Sequence, residues 1–176
     1  RGALAGLFLG SVSRQVATHV TCPAVVVRPA QKPDSQEIVV GVDGSESSVH
    51  ALAFAYDEAS RRDFTLRILH TWEIPPIGAI TGVPAFAPPE MLESMADAEH
   101  RIISEEVAGF SERYPDVKVQ HDVLRGAPVK ALKQASETAA MVVVGSRGRG
   151  GFRGLLLGSV SHAIVHQAKC TVAVVR

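Results

Sequence analysis

Four residues near the carboxyl end, Gly145, Gly148, Gly158 and Ser159, have the types and the spacing that suit a phosphate group. They fall within Met141 to Ser161, MVVVGSRGRGGFRGLLLGSVS, where a short β-branched run gives way to a glycine-rich loop and then to the first turn of a helix. Glycines at 145 and 148 let the backbone turn sharply and come close to a ligand without a Cβ in the way. Gly158 and Ser159 open the helix, whose first N–H groups have no partner inside it and whose dipole favours an anion. The hydroxyls of Ser159 and Ser161 add donors, and Arg147, Arg149 and Arg153 bring positive charge that either faces phosphate or is simply solvated.

Other loop chemistries do not fit these residues. No Lys follows the glycines where a Walker loop, G-x4-G-K-[ST], needs it. Gly148 and Gly150 begin a dinucleotide fingerprint G-x-G-x-x-G, but the third position is Arg153 and Gly154 comes one residue late. No Asp or Glu lies between Met141 and Lys169, so the phosphate side lacks a magnesium ligand or general base close in sequence, and Asp43 is the only carboxylate expected nearby. His162 and His166 are one helical turn apart without a third local ligand, a pattern better read as a solvated face. His70 reads as a satisfied buried histidine, and no serine sits in a G-x-S-x-G elbow.

Elements that would position the loop alternate in type. Ile38–Val42 is a buried strand, and Asp43-Gly-Ser supplies a turn with Ser45, Ser47 or Ser48 as the cap of a helix reaching about Arg61, with Val49, Leu52, Ala53 and Tyr56 inward. Leu66–Trp72 is a second strand, followed by a proline-rich irregular stretch, Ile74–Pro89, that is either a binding loop or an excursion. A helix over Glu90–Arg113 presents Met95, Ile102 or Ile103, Val107 and Phe110 inward. Val117–Val123, with Val117, Val119 and His121 on one face, reads as an edge strand. Gly126-Ala-Pro128 enters a helix to about Thr138. The central strand, loop and last helix follow, the helix striped by Val160, Ile164 and Ala168, and Val172–Val175 closes the series. Such β-α alternation makes a doubly wound parallel sheet with helices on both faces, and ligands collect beyond the carboxyl ends of the strands where the order reverses.

An internal repeat sets the domain organisation. RGALAGLFLGSVS at Arg1–Ser13 matches RGGFRGLLLGSVS at Arg149–Ser161, and the ungapped alignment runs to Arg28 against Arg176 with 13 identities in 28 positions. Residues 1–28 are therefore expected to be the end of a first homologous domain, a helix over Leu9–His19 and a strand over Ala24–Arg28. Gly10 and Ser11 then lack the glycines that would complete a first site. A polar linker, PAQKPDSQ at 29–36, leads into a complete domain at 37–176.

Taken together, G-x2-G-x9-G-S at Gly145, Gly148, Gly158 and Ser159, and IVVGVDGS at Ile38–Ser45, resemble the ATP-binding universal stress proteins. The resemblance covers 37–176 and part of the remainder. It implies a five-stranded parallel sheet in the order 3-2-1-4-5, and a stress-response protein that binds ATP, with or without magnesium, rather than an enzyme. A slow ATP hydrolase and a ligand-free dimerising protein stand as alternatives. Carried over residue by residue, the resemblance implies that Gly41, Val42 and Asp43 line a nucleoside pocket with Thr71 beside adenine. Gly145 and Gly148 would approach ribose and phosphate, with Gly158, Ser159, Val160 and Ser161 on the phosphate chain; Ser146 between the two glycines is counted with the site, and Arg147 and Arg149 are added to it on their charge and not on the resemblance. It also implies pairing of last strands, Ala24–Arg28 with Thr171–Arg176, within one chain or in a homodimer.

Composition sets outer bounds. Eighteen basic residues balance eighteen acidic ones, so no overall field draws in nucleic acid or an anionic membrane. Cys22 and Cys170 are too few for a disulfide framework, read as small buried hydrophobes, and fit a reducing cytoplasm. No run reaches the roughly 20 apolar residues of a membrane helix.

Overall fold

The computed structural model describes residues 20–73, 88–150 and 157–176. The expected helix over Leu9–His19 and all but the end of the proline-rich stretch lie outside the described residues. Within them, the elements are β1 (Ala24–Val26), β2 (Glu37–Val42), α1 (Glu46–Arg62), β3 (Thr65–Trp72), α2 (Pro89–Arg113), β4 (Val119–Arg125), α3 (Pro128–Ala135), β5 (Met141–Gly145), α4 (Ser159–Gln167) and β6 (Thr171–Val175).

The sheet has six strands in the order β1-β6-β5-β2-β3-β4. The strands of 37–176 pair in parallel, whereas β1 joins β6 antiparallel, so the sheet is mixed and not the five-stranded parallel sheet expected. The reason is an edge: β6 would otherwise show unpaired backbone groups, and residues 24–26 satisfy them. At the other end β4 is the edge strand, although His121 is exposed and does not join Val117 and Val119 against the core.

Side-chain alternation divides the interior into two layers. Ile38, Val40, Val143 and Ala173 pack with Ala51, Leu52, Ala55 and Tyr56 of α1 and with Ile103 and Val107 of α2. Val39, Leu69, Val142, Val144 and Val172 pack with Leu132 of α3 and Ile164 and Val165 of α4. Burial on both faces explains why β2 and β5 are continuous apolar runs. The inward face of α1 is rotated from the one expected: Val49 is exposed, and Ser48, Ala51, Leu52, Ala55, Tyr56 and Ala59 are buried. Ser48 can turn inward because its hydroxyl donates to Ser45 O at 2.8 Å. On α2, Ile103 is the buried member of its pair, Ile102 is exposed, and Phe110 stacks on Tyr56 with ring centroids 5.3 Å apart. Of the two cysteines, Cys170 is buried as expected but Cys22 is exposed, because it precedes the short edge strand β1 instead of entering the core.

Candidate functional site

β2 and β5 are neighbours, but the chain winds away from them in opposite directions, so a crevice opens beyond their carboxyl ends. It is a cleft of about 550 Å³. Gly41, Val42, Leu69, Thr71, Leu132 and Val144 form an apolar end; Arg147, Gly148, Arg149, Gly158, Ser159 and Val160 form a polar, basic one. Gly41 lets Leu132 of α3 pack close against the end of β2, since a Cβ there would lie 3.2 Å from the Leu132 methyls. At the basic end Gly158 caps α4 without a side-chain hydrogen bond, leaving the first-turn amides of the helix for a ligand.

The glycine loop is fastened to the turn between β2 and α1. Asp43 Oδ1 accepts from Ser45 N at 3.1 Å and Ser45 Oγ at 2.6 Å, and Asp43 Oδ2 accepts from Arg149 N at 3.0 Å. Gly148 permits that contact: a Cβ at 148 would stand 2.3 Å from Oδ2. Gly44, at φ 74°, makes the turn, and a Cβ on it would sit 2.3 Å from the Arg149 guanidinium. Among the three serines considered as the cap, Ser45 takes the role, its hydroxyl accepting from Ser48 N at 3.3 Å. Asp43 lines the cleft as expected, but three of the roughly four acceptor positions of a carboxylate are filled by the protein itself.

Of the other expected site residues, Gly145 and Ser161 also line the cleft. Ser146 does not. It is 1% exposed, with its N–H on Val175 O at 2.6 Å and its carbonyl accepting from Gly158 N at 2.7 Å and Ser161 Oγ at 2.9 Å. Continuing the strand's alternation one step past Gly145 turns its side chain inward, away from the cleft lining, and makes Ser146 a strut that joins the loop to α4. The Ser161 hydroxyl is engaged in the same strut.

Asp43 is not alone among carboxylates, contrary to what sequence proximity suggested. Glu73 lines the cleft, and α2 brings Glu99 and Glu106 to its back. His70 is 3% exposed, with Nδ1 2.9 Å from Val42 O and Nε2 3.0 Å from Glu99 Oε2, so it is the satisfied buried histidine expected and also a wall of the cleft. Ser48 Oγ also stands 3.4 Å from Glu106 Oε1, so its one proton is shared between Ser45 O and that carboxylate, and Oε2 has no partner among the described residues. Burial, opposed by the Ser48 hydroxyl and reinforced by the charge of Asp43, raises the Glu106 carboxyl above its ordinary range. Glu99 and Glu106 had no signal in the sequence because α2 lies some sixty residues from Asp43 in the chain. Among the described residues no three His, Cys, Asp or Glu side chains gather as a metal site, and no helix is long and apolar enough to cross a membrane.

Comparison with known proteins agrees with this architecture. The model of the universal stress protein family matches residues 35–176. Universal stress protein Rv2623 of Mycobacterium tuberculosis is 40% identical over 179 residues, which is 99% of this chain but 58% of that protein, so the chain spans under two thirds of the length of such curated relatives. Among solved structures, universal stress protein UspA from Lactobacillus plantarum aligns with a TM-score of 0.63 at 20% identity, covering 80% of this chain and 97% of that one. A universal stress protein crystallised in complex with cAMP aligns with a TM-score of 0.57 at 26% identity, covering 81% and 97%. With its doubly wound sheet, its reversal-point cleft and a family match over most of its length, this chain belongs to the universal stress protein family.

Proposed function

We propose that residues 37–176 bind an adenine nucleotide, ATP in the first instance, in the cleft between β2 and β5, and that the protein acts in stress responses by binding and not by turnover. The observation that carries this reading is the pairing of an apolar end with an anion-receiving one in a cavity of suitable size: about 550 Å³, within the range of roughly 300–1,000 Å³ usual for small-molecule sites. A base and ribose fit between Gly41, Val42 and Thr71, with the phosphates at Gly148, Arg147 and the amides of Ser159 and Val160. Asp43 retains one acceptor position for a ribose hydroxyl. Because one structural relative was crystallised with cAMP, the cyclic nucleotide is the natural competitor. Magnesium is not needed for this reading, as the basic end supplies arginines and amides and no carboxylate set.

Isothermal titration with ATP and with cAMP tests the reading. Expected is one ATP per chain, displaced by the nucleotide that binds more weakly only at higher concentration. Replacing Gly148 by Val and Ser159 by Leu in a protein that stays folded should abolish the heat; unchanged affinity would remove this cleft from consideration. Sustained phosphate release that stops in Asp43→Ala would favour a hydrolase instead.

The register of β1 supports a second part of the reading, that residues 24–26 end a first repeat. Val25 pairs with Ala173, its own equivalent in the repeat, and Ala24 and Val26 pair with Val174 and Val172, so the two repeat ends meet about a local two-fold axis. Cysteines introduced at Val25 and Ala173 in a Cys22→Ser background would form a disulfide within one chain; a disulfide-linked dimer would place this contact between copies.

A further inference from the structure

We infer that Ser47 is a positioning residue for the phosphate end of the cleft, holding the glycine loop in shape without touching the ligand. Ser47 is the second residue of α1, after the cap Ser45. Its hydroxyl donates to Arg147 O and accepts from Arg147 N at 3.3 Å, so one side chain holds both backbone polar groups of the residue just before Gly148. A serine hydroxyl is suited to this because it carries a donor and acceptors on one atom. The approach is made possible from the opposite side by Gly145, whose missing Cβ would stand 2.6 Å from Ser47 Oγ and 2.7 Å from Ser47 O.

Ser47 is absent from the residues lining the cleft, whereas Arg147, Gly148 and Arg149 all line it. Any effect of Ser47 on a ligand must therefore pass through the loop. With Arg147 fixed, Gly148 is held against Asp43 and the Arg149 amide reaches Asp43 Oδ2. Without it, the segment from Arg147 to Gly150 is tied to the β2–α1 turn at Asp43 and by the weaker contact of Ser45 Oγ with Arg147 O at 3.4 Å. The basic end of the cleft then loses the fixed spacing between loop and α4 that lets a phosphate chain meet both at once.

The binding arm of this inference rests on the nucleotide reading above; its structural arm does not. Ser47→Ala removes the hydroxyl without adding bulk. In the ligand-free protein, hydrogen exchange followed by NMR should show the Arg149 amide, which bonds Asp43 and not Ser47, exchanging about thirtyfold faster, as expected for loss of two ordinary hydrogen bonds. ATP affinity by calorimetry should fall about tenfold. Ser47→Thr, which keeps the hydroxyl, should restore both. If only the Arg147 amide changes and Arg149 stays protected, Ser47 does not position the loop and the inference fails. It fails equally if Arg149 loses protection but a nucleotide that binds the wild type binds the variant as tightly. Should wild-type protein bind no nucleotide, the nucleotide reading falls, and the Arg149 exchange still decides the role of Ser47. Urea midpoints of both variants separate these effects from general destabilisation, which would speed exchange across the core strands as well.

Discussion

Gly145→Ala is the substitution whose cost follows most directly from the geometry. A Cβ built at 145 lies 2.6 Å from Ser47 Oγ, 2.7 Å from Ser47 O and 2.8 Å from its carbonyl carbon, while ordinary contact begins near 3.4 Å. The hydroxyl can rotate aside, but the carbonyl belongs to the first turn of α1, and α1 is pinned by Ala51, Leu52, Ala55 and Tyr56, each 0% exposed. Either α1 or the end of β5 must therefore retreat by about 0.7 Å. Overpacking of this kind costs about 1–3 kcal/mol, and the displaced Ser47 gives up two hydrogen bonds to Arg147 worth about 1 kcal/mol each, so about 3–5 kcal/mol is expected in all. At roughly 2–4 °C per kcal/mol for a chain of this size, the melting temperature should fall by about 6–20 °C in differential scanning calorimetry. Gly109→Ala is the matched control. Gly109 lies inside α2 with nothing within 4 Å of a Cβ, so the substitution should stabilise by about 0.5–1 kcal/mol through helix propensity alone. A melting temperature for Gly145→Ala within 2 °C of wild type would refute the close-approach reasoning.

Two further outcomes follow from burial. The Glu106 carboxyl is raised, first by burial and next, against the Ser48 hydroxyl, by the charge of Asp43, so its contribution to stability is complete below the ordinary glutamate value of about 4.3 and is lost as pH rises through the folded value. Glu106→Gln keeps the Ser48 partner without the charge. Its urea midpoint should match wild type below about pH 4 and exceed it at pH 7, and a difference that does not grow with pH would count against an ionised Glu106 behind the cleft. For the cysteines, burial pushes the Cys170 thiol up to about 11, whereas Cys22 is exposed. A thiol-specific chromogenic reagent at pH 8 should therefore titrate one thiol in native protein and a second only in urea; two rapid equivalents would contradict the burial of Cys170.

The periodicity of the chain by itself determined the α/β alternation, because strands buried on both faces must be continuous apolar runs and amphipathic helices must stripe at 3.6 residues. The spacing of Gly145, Gly148, Gly158 and Ser159 likewise determined where a loop and a helix start would converge, and the repeat marked Ala24–Arg28 as kin to Thr171–Arg176. These are local properties, set by neighbours in sequence and by the steric freedom of glycine. What only the tertiary structure decided are the contacts across long separations. Ser47 grips Arg147 a hundred residues away. Glu99 stands against His70 and Glu106 within the field of Asp43, and Ser146 turns inward as a strut while its neighbours line the cleft. The strand β1 joins β6 antiparallel and makes the sheet mixed. None of these has a sequence pattern, because each depends on which face of one element meets which face of another, and a rotation of one residue along a helix, about 100°, is enough to exchange Val49 for Ser48 at the core.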